Sequence, residues 1–327
     1  MAEPTKSHLL RDLGRRILGT SAVPAPPHVF ALDASTLRYG RFVQAGEGWE
    51  LRELRRVELP ADSFHVGVLG GPLREPEAFG EKVAQLLAGI SAPVREASLV
   101  VPDAWLRLAF IETGDLPRDA GAADEIVRWK VKRLLPFRVE DLRLSATEVA
   151  PLPQQEEPRR LLVAYALEAL MAQVEAAFAG REVWLGRITS ESLALLPAVG
   201  DPLQSAGLGA LAVVRDGGYT LLFSRQGEPV LYRFKAREES LSFASTVERD
   251  LRLTRAFVAD QLPDLNLDRV VLAATPDAGR GWPEWLAAGL GRAAEPLEAL
   301  RLPLASAERV GWMDVAPMLG AARQEVA

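Results

Sequence analysis

ALAVVRDGGYTLLFSRQGEPVLYRFK, residues 210–235, is the stretch that decides the fold. Its apolar runs are separated by turn signals at Gly217 and Gly218 and at Gln226 and Gly227, which predicts consecutive antiparallel strands. A long segment with helical periodicity follows, then a short strand pattern and another helix pattern. Strands that alternate with helices in this order predict an α/β unit with a mixed sheet covered by helices.

The same order of elements occurs earlier in the chain. Residues 29–60 predict three antiparallel strands with a turn at Gly46 and Gly48. Residues 76–90 predict a helix, and strand character returns at Ala97. The sequence therefore predicts two related halves built from one repeated unit.

An insertion separates the first strand set from the second half. Residues 124–135 predict a helix that ends before Pro136, with an apolar stripe that includes Leu134. Two strand patterns follow, separated by the polar loop at residues 153–160.

The chain returns from the insertion through a strongly periodic helix. Met171 lies on its apolar stripe, and we assign it to the core rather than to a site. A further strand leads to a short helix, which Thr189 or Ser190 is placed to cap.

The composition excludes several function classes. The chain has 327 residues, enough for about two domains, and an apolar fraction of 48%, as in globular proteins. A formal net charge of −6 argues against nucleic-acid binding, which usually leaves a basic footprint. The sequence has no cysteine and only three histidines, His8, His28 and His65, so it offers no thiol nucleophile and no histidine pair with metal-ligand spacing.

The N-terminal segment, residues 1–27, combines an amphipathic helix pattern with a Pro-rich linker. Apolar residues between Leu9 and Leu18 share one face, and basic residues take the other. Such a helix can lie on a membrane surface or in a partner groove, or it can pack on its own domain. No stretch approaches the about 20 apolar residues of a membrane span, so we expect a cytoplasmic protein that reaches a membrane through a partner or this segment.

Two copies of such a unit with a hinge between them resemble the actin-like (ribonuclease H-type) ATPase fold. The order of motifs narrows the resemblance. A helix ending in LLPF and followed by RVEDLRLSATEV, and the run Ser-Glu-Ser-Leu-Ala at residues 190–194, resemble the type IV pilus assembly protein PilM family. The resemblance covers residues 28 to about 320 and depends on the ordered series of motifs rather than on one of them.

The resemblance implies a two-domain α/β fold with mixed sheets. The first actin-like domain would span residues 28–205, with an inserted subdomain at about 112–180. The second would span residues 206–327, with a C-terminal helix that returns to the first.

The resemblance also implies a partner. PilM proteins are cytoplasmic, bind ATP and dock the cytoplasmic tail of the membrane protein PilN, which couples a PilN–PilO inner-membrane platform to the pilus motor ATPases. The inserted helix offers Trp129, Pro136 and Phe137 as candidate docking residues, because aromatic residues are enriched at binding hot spots. A Trp at such a helical position is, however, more often simply a core residue than a docking residue.

The first phosphate loop departs from the family pattern, Asp-x-Gly-Ser-Ser. Asp33 is kept as a candidate partner of a Mg²⁺-bound water, and Thr36 keeps a hydroxyl. Ser35 stands where the family has glycine, and either Arg38 or Arg41 replaces the lysine. Phosphate loops need glycine because backbone N–H groups must approach the phosphates closely.

The other two loops depart as well. Gly217 and Gly218 are candidate phosphate-binding residues, but Arg215 stands at the position of the family's acid, unless the register slips to Asp216. An Asp-Gly-Gly hairpin turn explains the same residues without a ligand. The third loop lacks two adjacent glycines near residues 273–275.

The sequence therefore predicts a scaffold of the pilus assembly platform that acts by binding and whose nucleotide site is weakened or lost. The only cofactor that the resemblance implies is ATP with Mg²⁺. The alternatives are a functional ATP-binding PilM-type ATPase and a component like the type II secretion protein GspL. A sugar or acyl kinase of the same superfold is less favoured, because it needs intact glycine-rich loops.

Overall fold

The computed structural model describes residues 25–46, 48–60, 71–135, 138–152, 158–237, 243–263, 265–300 and 311–323. The predicted N-terminal amphipathic helix lies outside these residues, as do Pro136 and Phe137.

The first half of the chain begins with three strands, a helix and a strand, as the sequence predicts. The helix predicted over residues 124–135 starts earlier, because the Asp119 side chain caps it by accepting a hydrogen bond from the Ala122 N–H at 2.8 Å. The elements are β1 (His28–Leu32), β2 (Thr36–Ala45), β3 (Gly48–Glu58), α1 (Pro76–Ala88), β4 (Glu96–Val101), β5 (Leu106–Thr113), α2 (Ala120–Lys132), a 3₁₀ turn (Val139–Asp141), β6 (Leu142–Val149), β7 (Arg159–Leu167), α3 (Glu168–Ala179), β8 (Trp184–Ser190) and α4 (Glu191–Val199).

The second half repeats the pattern. Its second hairpin turns at Gln226 and Gly227, whose φ angles of 52° and 84° suit a two-residue turn that follows the twist of the strands. The elements are α5 (Asp201–Gln204), β9 (Gly209–Arg215), β10 (Gly218–Arg225), β11 (Glu228–Ala236), α6 (Phe243–Gln261), β12 (Arg269–Ala274), α7 (Trp282–Leu290), β13 (Ala294–Pro296), a 3₁₀ turn (Leu297–Ala299) and α8 (Trp312–Arg323).

The two halves form two five-stranded sheets with equivalent strand orders. The first sheet has the order β3-β2-β1-β4-β8 and the second has β11-β10-β9-β12-β13. In each sheet the first three strands pair antiparallel, and the last two add parallel. The repeated unit seen in the sequence is therefore a repeated mixed sheet.

Helices α4 and α8 join the cores of the two sheets. Leu195 of α4 and Met318 of α8 belong to one buried cluster with Val29 of the first sheet and Val271 of the second. The helices approach so closely that a Cβ added at Gly320 would lie 1.7 Å from the carbonyl oxygen of Ala194. The helix pair thus fixes the relation between the sheets.

A third sheet, with the antiparallel order β5-β7-β6, lies between β4 and α3 in the chain. Helix α2 covers it through buried Val127 and Val131. Helix α3 packs on the first sheet instead, with Phe178 and Phe30 ring centroids 4.9 Å apart and Met171 buried as predicted. The third sheet occupies residues 106–167, compared with the expected 112–180, and the domain limits themselves stay predictions.

Candidate functional site

The β1–β2 turn is built around the carboxylate of Asp33. Its Oδ1 accepts hydrogen bonds from the backbone N–H groups of Ser35 and Thr36 at 2.9 and 2.8 Å, and its Oδ2 accepts one from the Thr36 hydroxyl at 2.7 Å. Burial opposes the charged carboxylate, but the Arg38 guanidinium and these hydrogen bonds outweigh burial and lower the pKa of Asp33. The turn residues predicted to meet a phosphate are therefore brought together, and they bond one another.

Arg38 of β2, rather than Arg41, lies beside this turn. It is 5% exposed, and its Nη2 lies 2.9 Å from Asp33 Oδ2. Its Nη1 donates to Asp314 Oδ1 on α8. One buried guanidinium thus ties the first predicted phosphate loop to the C-terminal helix.

The second predicted loop carries a matching ion pair. Arg215, at the end of β9, donates from Nε to Glu191 Oε2 at 3.0 Å and from Nη2 to Glu191 Oε1. Burial disfavours the charge on Arg215, but Glu191 reverses this effect, so the pKa of Arg215 is raised. Arg215 Nη2 also lies 3.5 Å from the carbonyl oxygen of Met313 on α8. A bidentate pair of this kind fixes orientation as well as charge.

The two turns belong to one electrostatic cluster. The charges of Asp33 and Asp314 both help to raise the pKa of Arg215, although their direct ion pairs are with Arg38. The two guanidinium groups face three carboxylates, those of Asp33, Glu191 and Asp314, which leaves a formal charge of −1. An approaching polyphosphate would meet charges that are already paired and a net negative field.

Asp103, in the loop after β4, connects three elements. Its Oδ1 accepts hydrogen bonds from the N–H and hydroxyl groups of Ser192, at 3.1 and 2.8 Å, and its Oδ2 accepts one from the Thr220 hydroxyl at 2.8 Å. Ser192 lies on α4 and Thr220 on β10, so the carboxylate links the two sheets. Burial, and then repulsion by Glu191, raise the pKa of Asp103 to about 6.

The predicted glycines serve turn geometry. Gly218 has a φ of 151°, and a Cβ there would lie 2.2 Å from the carbonyl oxygen of Lys235 on β11. Gly217 lies in the same turn, where its carbonyl accepts from the Arg237 N–H at 3.0 Å. Close approach to β11 therefore accounts for Gly218 without a ligand.

Trp129, the described member of the predicted docking residues, lies on the outer face of α2. Its side chain is 57% exposed, and the Arg133 guanidinium stands 5.5 Å from its ring centroid. Leu134 is 56% exposed, which corrects its assignment to the apolar stripe. The reason is local: α2 ends at Lys132, so the helical spacing does not continue to Leu134.

Sequence reasoning missed three acidic residues of this site, Asp103, Glu191 and Asp314, and it used Glu191 only as part of the family motif at residues 190–194. Asp103 carried a weak signal, since it follows a buried run of apolar residues at the end of a parallel strand, where sites form in α/β sheets. Asp314 carried none, because its partner Arg38 is 276 residues away.

Within the described ranges, no group of three or more acidic or histidine side chains could hold a metal ion. No helix among those residues is long and apolar enough to cross a bilayer.

Neither a family model nor a curated protein matches this sequence. Solved structures do match. The PilM-PilN type IV pilus biogenesis complex aligns with a TM-score of 0.72 at 19% identity, covering 92% of this chain and 97% of that chain. A protein from Bacteroides thetaiotaomicron with an actin-like ATPase fold and unknown function aligns with a TM-score of 0.51 at 9% identity, covering 90% and 96%.

At these low sequence identities the structural matches establish similarity of fold alone. That fold is the actin-like fold that the sequence predicts. Two equivalent mixed sheets, joined by α4 and α8, account for the repeat in the sequence. The alignments with these structures cover nine-tenths of the chain or more. The chain has the actin-like ATPase fold, with a third, three-stranded sheet inserted in its first half.

Proposed function

We propose that this protein is a cytoplasmic actin-like scaffold of a type IV pilus assembly platform, and that it belongs to the PilM family. It binds the cytoplasmic tail of a PilN-like inner-membrane protein and lies at the inner face of the membrane through that partner. Through it, the protein connects to a PilO-like protein and to the pilus motor ATPases. The fold similarity to the PilM-PilN complex along almost the whole chain supports this proposal, together with the ordered motifs of the sequence.

The nucleotide site of this scaffold is weakened or lost. One observation carries this part: the Ser35 and Thr36 N–H groups, which a phosphate would need, donate to Asp33 instead. Backbone N–H groups that converge on a phosphate are the main source of affinity in such loops. If ATP with Mg²⁺ binds at all, Asp33, Ser35, Thr36, Gly217 and Gly218 are the residues that would meet it.

The tail docks at the C-terminal end of α2. Trp129 is exposed there and presents a large apolar ring on a helix. Pro136 and Phe137, which follow closely in the chain, are the other two residues that we propose for docking. Exposed aromatic side chains are the usual anchors of a short peptide.

A peptide with the N-terminal tail sequence of the PilN-like protein from the same genome tests the docking site. Fluorescence anisotropy of the labelled peptide should show saturable binding, and a Trp129→Ala, Phe137→Ala variant should lose at least about tenfold in affinity, as for a hot spot. Trp184→Ala is the matched control, because Trp184 is 53% exposed but lies on β8. Unchanged affinity in the folded double variant would show that the tail does not dock on α2. Absence of binding to the wild type would contradict the proposed partner.

A further inference from the structure

The outer face of α6 carries an apolar stripe that no described residue covers. Leu253 is 55% exposed and Phe257 is 48% exposed, and they are four residues apart, so their side chains are neighbours on the helix surface. Ala256 is exposed between them. Among the described residues the other large exposed apolar side chains lie on different elements: Val43, Trp129, Leu134 and Trp184.

The opposite face of α6 is fully used by the core. Val247, Leu251 and Val258 are buried against the second sheet and α7. A Cβ at Gly289 of α7 would lie 2.3 Å from Leu251 Cβ, which shows how closely these helices pack. The outward stripe therefore does not contribute to the core of this half. Exposed apolar neighbours of this kind mark interaction surfaces.

The charges that flank the stripe are arranged for self-recognition. Arg249 lies four residues before Leu253, and Asp260 lies three residues after Phe257, both exposed. At a rise of about 1.5 Å per residue, each charge is about 8 Å along the helix from the midpoint of the stripe. A twofold axis through that midpoint exchanges the two ends, and it places an arginine opposite an aspartate at both.

We propose that α6 forms an antiparallel, twofold-symmetric contact with α6 of a second copy of this chain. Leu253 packs on Phe257 of the second copy, and Arg249 pairs with Asp260 of the second copy, each contact occurring twice. A twofold interface requires this kind of self-complementary surface. A parallel arrangement would place like charges together, so the antiparallel one is selected.

The contact is weak and depends on concentration. One helix pair buries less than the about 1,200 Å² of a standard stable interface, and its apolar centre consists of Leu253, Ala256 and Phe257 from each copy. Weak self-association of this kind operates where the chains are concentrated on a common surface, because local concentration then replaces affinity.

Sedimentation velocity of the full chain across a hundredfold concentration range tests the proposal. The wild type should show a reversible shift from monomer towards dimer. Phe257→Glu should abolish this shift, and Trp184→Ala should leave it unchanged. Matching thermal melts of each variant show that the fold is kept.

A charge exchange identifies the geometry. Arg249→Asp and Asp260→Arg should each weaken dimerisation about tenfold or more, because each places like charges together twice, and the combined variant should return to within about threefold of the wild type. A wild type that stays monomeric throughout would overturn the proposal. That result is expected if residues 1–24 or another partner, rather than a second copy, covers the stripe. A dimer that is indifferent to Phe257→Glu, or that the combined variant fails to restore, would also contradict it.

Discussion

Replacing Arg215 by glutamine removes one cation from the cluster between the two sheets. In the folded protein Arg215 forms a bidentate pair with Glu191, whose side chain is only 10% exposed, and it also approaches the carbonyl of Met313. The substitution leaves Glu191 partly buried, close to buried Asp103, and without its cation. We therefore expect Arg215→Gln to destabilise the contact between α4, β9 and α8.

The size of the effect follows from burial. Removal of one partner from a fully buried pair costs about 3–5 kcal/mol. Arg215 is 26% exposed, so solvent screens part of the pair and the expected loss in free energy of unfolding is about 2–3 kcal/mol. An exposed pair provides the control: the side chains of Arg280 and Asp277 are 85% and 96% exposed, so Arg280→Gln should change stability by less than about 0.5 kcal/mol.

Urea unfolding followed by circular dichroism measures both variants. The double variant Arg215→Gln, Glu191→Gln should recover part of the loss, with a coupling energy of about 1–2 kcal/mol, because it removes the unpaired charge together with its partner. A loss for Arg215→Gln no larger than that for Arg280→Gln, or strictly additive single substitutions, would refute the claim that this pair stabilises the contact between α4, β9 and α8.

Two further predictions concern packing and pH. Gly320→Ala should lower stability by about 1–3 kcal/mol in thermal melts, because the added Cβ would lie 1.7 Å from the Ala194 carbonyl oxygen. The control is Gly80→Ala inside α1, which should be neutral or stabilising because a Cβ there meets nothing within 4 Å. Equal effects at both sites would contradict the close α4–α8 contact. The pKa of Asp103 is about 6 in the folded chain, above the ordinary value of 3.8 that applies to the unfolded chain. The folded state therefore binds this proton more tightly than the unfolded state does, and the protein loses stability as the pH rises from about 4 to about 6. Asp103→Asn should remove that part of the pH dependence of the urea midpoint, and identical pH profiles for variant and wild type would count against the raised pKa.

Local patterns predicted the elements of this fold, and the reason is physical. The three strands over residues 210–235 were predictable because alternation and turn residues act within a few positions. The Ser190 cap was one of two predicted candidates, and its hydroxyl accepts from the Leu193 N–H at 3.4 Å. Such features depend on neighbours in the chain.

The ion pairs beside the two predicted phosphate loops were less predictable, because they depend on contacts between distant segments. The sequence showed that Arg215 replaces an acid, but its partner Glu191 lies 24 residues earlier, at the start of helix α4, whereas Arg215 ends strand β9. Arg38 and Asp314 come together only because α8 returns to the first sheet. A loss of loop glycines can be read from sequence, whereas the ion pairs that form beside the loops cannot.

Isothermal titration calorimetry with Mg-ATP tests the central claim most directly, namely that the groups at the two predicted phosphate loops bind this chain's own side chains instead of a nucleotide. The wild type should show no saturable heat up to millimolar nucleotide. Its melting temperature should not rise either, whereas a ligand that binds would add about 2.7 kcal/mol of stability at 100 times its dissociation constant. Saturable one-to-one binding at micromolar Mg-ATP, weakened by Asp33→Asn, would contradict the account.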